Sequence, residues 1–251
     1  MCVALRATEP GEWSVSPSAH ITVVVLDAIM IFYTATLLAR GGLRRTEVAA
    51  GTVVGFGWLA ALHLLLPAWR SAAPETSGPA LLAVVVGFVA VVGLPLLFPA
   101  QRVALARLPA ATLLAPQGVR ILFGATFLVW GLTGVLPRTF GILDGLTHLS
   151  AGVLGLVGAW WVRRPGAPTR AGLAMVANLF GLLDILVVAS TVALVLLPSI
   201  GLDHPMMYAL FLPAPVWLWL HVVSISVSLD RARQYRSTSA ALPASSAGKA
   251  G

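Results

Sequence analysis

Seven stretches of this 251-residue chain are apolar for long enough to cross a bilayer, and nothing else constrains its fold as strongly. A membrane-spanning helix needs about 20 largely apolar residues. The stretches are His20–Ala39, Val48–Leu66, Ala80–Phe98, Val119–Leu136, Gly145–Val162, Leu173–Leu197 and Met206–Leu229. Between them lie breaks rich in arginine, glycine or proline. The stretches lack the period-2 alternation that a transmembrane barrel requires. The composition agrees, with 58% hydrophobic and 10% charged residues, against about 45–50% and 25% in soluble domains. So few charges cannot cover a water-facing surface, which excludes a soluble enzyme, a disordered chain and a disulfide-rich scaffold. The expected fold is all-α: a polytopic bundle of seven transmembrane helices.

Orientation follows from the lysines and arginines. One side of the seven-helix plan holds Arg40, Arg44, Arg45, Arg102, Arg107, Arg120, Arg163, Arg164, Arg170, Arg231, Arg233, Arg236 and Lys249, and the other holds only Arg6, Arg70 and Arg138. By the positive-inside rule the N-terminus is outside and the C-terminus is cytoplasmic. Three parts are expected: a short extracytoplasmic segment 1–19, the transmembrane domain 20–229, and a disordered cytoplasmic tail 230–251. The net charge of +7 does not indicate nucleic acid, because the basic residues sit in short loops instead of forming a stripe along a helix. Residues 1–19 have no continuous apolar core, so no cleavable signal peptide is expected, and Cys2 reads as an inert thiol. The segment Pro99–Gln117 reads as a loop or a short amphipathic piece in the headgroup region.

Ionisable groups at membrane depth are costly, so each is a functional candidate. Asp184 lies roughly 15 Å, and His221 roughly 12 Å, from the inner ends of consecutive helices, so the two can meet. Such a pair could bind a cation, relay protons or anchor a polar solute, or it could be an interhelical hydrogen bond that holds the bundle. Asn178 is roughly 120° from Asp184 around the helix and is expected to face another neighbour. Asp27, His63 and His148 form an outer-half group. His63 and His148, each roughly 6 Å below the outer surface, are weak metal candidates: they could ligate one haem b iron or, with Asp27, a transition metal. Neither has a second histidine on its own helix, and no cofactor is expected. His20, Asp203 and His204 read as solvated residues at the outer surface.

Other features read as packing. Trp58, Trp130, Trp160, Trp161, Trp217 and Trp219 suggest interfacial belts, and Gly51-x-x-x-Gly55-x-Gly57 and Gly141-x-x-x-Gly145 suggest close helix contact. Pro213 and Pro215 should kink the last helix. Phe140-Gly-Ile-Leu-Asp144 and Phe180-Gly-Leu-Leu-Asp184 are nearly identical, but the flanking residues differ and the two read as coincidence. No phosphate loop, G-x-S-x-G or dinucleotide fingerprint is present. A retinal Schiff base is excluded, since the only lysine is Lys249 in the tail.

The motifs Leu136-Pro-x-x-Phe140, Asn178-x-x-Gly181-x-x-Asp184 and Phe211-Leu-Pro-x-Pro-Val-x-Leu-x-Leu-His221-x-x-Ser224 resemble a group of small, uncharacterised bacterial multi-pass membrane proteins, over roughly Val119 to Leu229. In those relatives an Asp usually follows the glycines of the fifth helix, where this chain has Gly145-Leu-Thr-His148. The resemblance implies the topology and a bacterial cytoplasmic membrane but no known activity. It adds weight to Asn178, Asp184 and His221. The expected function is a small-solute or ion-handling membrane protein, with proton linkage as one form of it. The alternatives are a haem- or metal-binding redox subunit and a structural or assembly factor. The lipid bilayer and a small solute or ion are the expected partners.

Overall fold

The computed structural model describes residues 17–72, 99–164 and 170–240, and among these there is no strand. The helices are α1 (Pro17–Arg40), α2 (Arg45–Ala72), α3 (Pro99–Ala106), α4 (Ala110–Leu114), α5 (Arg120–Thr133), α6 (Arg138–Val162), α7 (Arg170–Thr191), α8 (Leu197–Ile200), α9 (Met206–Phe211) and α10 (Pro213–Ala240). Among the described residues, six spans are long and apolar enough to cross a membrane: Pro17–Arg40, Arg45–Ala68, Ala110–Thr133, Arg138–Val162, Gly172–Leu196 and Met206–Asp230. The expected third helix, Ala80–Phe98, lies outside the described residues. Large apolar side chains such as Val53, Val54, Leu64, Leu132 and Leu183 point away from the bundle. That is the pattern of helices with one face toward lipid and one toward each other.

Element boundaries differ from the hydropathy reading for local reasons. The fourth span starts at Ala110, because the turn Ala115–Val119 joins α4 to α5 as a 3-10 helix. Pro99–Gln117 is helical except at 107–109, and Leu105, Leu113 and Leu114 within it are fully buried. The fifth span starts at Arg138, directly after Pro137, which brings Gly141 and Asp144 into α6. A π-helical turn at Val192–Leu196 joins α7 to α8 just before Pro198. The last span is broken, not only kinked, with Leu212 at φ −125 and ψ −69 between α9 and α10. Pro215 has no N–H for the Phe211 carbonyl four residues earlier. The Trp58 indole N–H donates to that carbonyl instead, at 3.0 Å. α10 then continues to Ala240, so the segment expected to be disordered from Asp230 begins as helix.

The tightest contact is between α5 and α6. A Cβ on Gly145 would stand 2.8 Å from the Gly124 carbonyl oxygen, and one on Gly141 would stand 2.6 Å from the Gly131 Cα. Only glycine permits backbones this close. Of the Gly51, Gly55 and Gly57 series, only Gly55 meets a neighbour among the described residues, Ile31 on α1. The tryptophans divide. Trp160 and Trp161 are exposed at the end of α6 and stack with Arg164, whose guanidinium is 3.6 Å from the Trp160 ring centre. Trp130, Trp217 and Trp219 are buried in the core and belong to no belt.

Two expectations at the surface are overturned. Arg120, counted as a cytoplasmic loop charge, is completely buried at the start of α5. Beginning the helix at Ala110 moves Arg120 three turns into the span. His204, expected to be solvated, is also completely buried, in the turn before α9.

Candidate functional site

Arg120 is the centre of a buried polar cluster built from α5, α6, α7 and α10. Its guanidinium donates to the Asp184 carboxylate, and donates to the Gly181 carbonyl at 2.9 Å. It lies 3.4 Å from His221 Nε2, and its Cζ stands 5.4 Å from the Trp217 ring centre. His221 Nδ1 is 3.1 Å from Asn178 Oδ1. The Asn178 amide donates to the Ala174 carbonyl and to Ser224 Oγ, both at 2.9 Å. These partners require neutral His221 with its proton on Nδ1, since Nε2 must accept from Arg120.

Asp184 and His221 therefore share Arg120, which stands between them. Asn178 joins the same cluster and does not face another neighbour. The reason is Gly181, midway between Asn178 and Asp184 on a regular helix. A Cβ there would lie 2.4 Å from His221 Cε1 and 2.5 Å from Nε2. Without it the imidazole packs close against α7, beside Asn178 and Arg120.

On the other side of Asp184 stands His148, from α6. Its Nδ1 is 3.1 Å from Asp184 Oδ2 and 3.0 Å from Asp144 Oδ1, one turn earlier on the same helix. Neither contact has the alignment of a hydrogen bond, and among the described residues both Asp144 oxygens are buried without a hydrogen-bond partner. Asp144, His148 and Asp184 are all buried, and one ligand atom from each lies within 4.8 Å of the others. Beside them is a cavity of about 20 Å³, lined by His148, Trp217, Phe123 and Phe127 among others. That is room for one water molecule.

The outer-half group does not assemble. His148 belongs to the central cluster. His63 is exposed on α2, bonds its own helix through Nδ1 to the Leu59 carbonyl at 2.9 Å, and stacks 4.5 Å from the Tyr208 ring. Asp27 is fully buried on α1, with neither carboxyl oxygen hydrogen-bonded among the described residues. Sequence reading missed two members of the centre. Arg120 sat at the edge of a hydropathy window, and Asp144 fell in a gap between two of them. The spacing Asp144-x-x-x-His148, which puts both side chains on one helix face, was the available signal.

The profile of a family described as a domain of unknown function (DUF8737) matches residues 78–229, more than half of the chain. The chain belongs to that family. Arg120, Asp144, His148, Asn178, Asp184, His221 and Ser224 all lie within the DUF8737 span, whereas Asp27 and His63 precede it. The motifs that suggested an uncharacterised family, from Leu136 to Ser224, fall inside the DUF8737 span as well. No curated protein and no solved structure matches the chain.

Proposed function

We propose that this DUF8737 protein handles a cation in a bacterial cytoplasmic membrane, with the cluster around Arg120 as its working centre and its N-terminus outside. One observation carries the reading. The centre sets two buried carboxylates, Asp144 and Asp184, against a single guanidinium. With His148 and His221 neutral, one negative charge remains uncompensated in a low-dielectric interior. Such a charge is expensive unless a cation accompanies it. A proton or another cation beside His148 supplies the missing charge, and exchange of that cation is the simplest work the centre could do.

A purely structural role needs only the Arg120–Asp184 pair and the His221–Asn178–Ser224 chain. Beyond these, Asp144 adds only its contact with His148, at 3.0 Å and without an aligned hydrogen bond. The test is ion movement in vesicles. Protein reconstituted with a pH-sensitive and a potential-sensitive dye is given an inward gradient of one cation at a time: H⁺, Na⁺, K⁺, Mn²⁺ or Zn²⁺. The expected result is protein-dependent movement of at least one cation, slowed at least about tenfold by Asp144→Asn, with the variant still folded. Absence of movement for every cation overturns the reading.

A further inference from the structure

We propose that Asp144, His148 and Asp184 form a site for one divalent first-row transition-metal ion. The assignment rests on the cation-handling reading above and names the class of cation.

The angular arrangement supports it. If His148 Nδ1 carried a proton for either carboxylate, the accepting oxygen would lie along the ring N–H direction. At 3.0 and 3.1 Å, neither oxygen meets hydrogen-bond geometry with Nδ1. A metal ion alters the expectation. An ion held about 2.1 Å from two ligand atoms that are about 3 Å apart sees each from a direction roughly 45° off the line joining them. With the ion on the ring's lone-pair axis, the oxygens must then be off-axis, at the separations of 3.0 and 3.1 Å found here.

The second observation is Asp144 itself, buried with both oxygens lacking a hydrogen-bond partner among the described residues. One imidazole with two carboxylates suits borderline ions such as Mn²⁺, Fe²⁺, Co²⁺ and Zn²⁺ better than the all-oxygen sites of Mg²⁺ or Ca²⁺. Arg120 donates to Asp184 Oδ2, the oxygen that faces His148, as outer partners hydrogen-bond metal-binding carboxylates. With a divalent ion bound, the centre carries one net positive charge. A hydroxide or an anionic group as fourth ligand would remove it.

Equilibrium dialysis of the purified full-length protein against Zn²⁺, with Co²⁺ as an absorbance probe, tests the site. The expected result is one ion per chain. Asp144→Asn and His148→Gln should each weaken binding by about 10- to 100-fold. Asp27→Asn, also buried but outside the cluster, should bind as wild type. Wild type that binds neither ion overturns the proposal even if no variant folds, and so does a folded Asp144→Asn that binds undiminished. If metal does not bind but vesicles still move another cation, the metal assignment alone fails. If metal binds and nothing moves, the site stands and the ion-moving reading fails.

Discussion

His204 is held neutral by two hydrogen bonds of opposite sense. Its Nε2–H donates to the Val135 carbonyl at 2.7 Å, and its Nδ1 accepts from the Met206 N–H at 3.1 Å. Protonating Nδ1 would destroy the second bond and bury a charge, and burial accordingly pushes the His204 pKa from 6.5 down to about 4. The native state thus binds fewer protons than the unfolded chain between those values. Stability from this residue is complete above about pH 6.5 and is lost as pH falls toward 4, by on the order of 3 kcal/mol. Thermal unfolding against pH should show this slope in wild type and lose it in His204→Gln. At the centre, Asp184 and Asp144 should behave differently. Asp184→Asn leaves Arg120 buried without its counter-charge, which costs about 3–5 kcal/mol. Asp144→Asn breaks no hydrogen bond and should cost less than about 1 kcal/mol. Chemical denaturation in detergent separates the two, and equal losses would contradict the pairing of Arg120 with Asp184.

Individual helices owe their positions to what their residues lack. α5 and α6 approach because Gly124, Gly131, Gly141 and Gly145 have no Cβ, and His221 lies against α7 because Gly181 has none. Gly145→Ala sets a methyl against the α5 backbone at Gly124 and Leu128, which cannot yield as a side-chain tip would. It should destabilise by about 1–3 kcal/mol. Gly51→Ala meets nothing within 4 Å among the described residues and should be neutral, or stabilising by up to about 1 kcal/mol from helix propensity. Melting temperatures of the two variants make the comparison. At the α9–α10 break, the Phe211 carbonyl depends on Trp58. Trp58→Phe keeps most of the apolar surface but removes the hydrogen bond to that carbonyl, at a cost of about 0.5–1.5 kcal/mol. The same denaturation measurement checks it, and an unchanged midpoint would mean that another group serves the carbonyl.

For the whole molecule, orientation rests on charge. Removing the buried Arg120 from the thirteen inner residues leaves twelve, still against three, so the N-out arrangement is expected to hold. A reporter active only in the periplasm should work when fused near Arg70 or Asp203 and fail near Arg164 or after Arg236, while activity at the C-terminus would refute the arrangement. Six of the seven expected spans have counterparts among the described residues, because the cost of leaving backbone groups unpaired in lipid makes long apolar runs helical whatever they touch. That constraint acts on each run separately, and the sequence by itself determines it. The sequence also marked Asp184, His221 and Asn178 as unusual at membrane depth, since polarity and position along a helix are one-dimensional properties. It did not determine their company. Arg120 looked like a loop residue and Asp144 like a helix-end residue until the extra turns at Ala110–Val119 and Arg138–Asp144 carried them inward. His148 was grouped with His63 because equal depth says nothing about rotation around a helix axis. Which face of each helix meets which is decided by packing, here by glycines that let α5, α6 and α7 close on one another. Only that closure brings four ionisable groups and an imidazole–amide chain from four helices into one buried cluster.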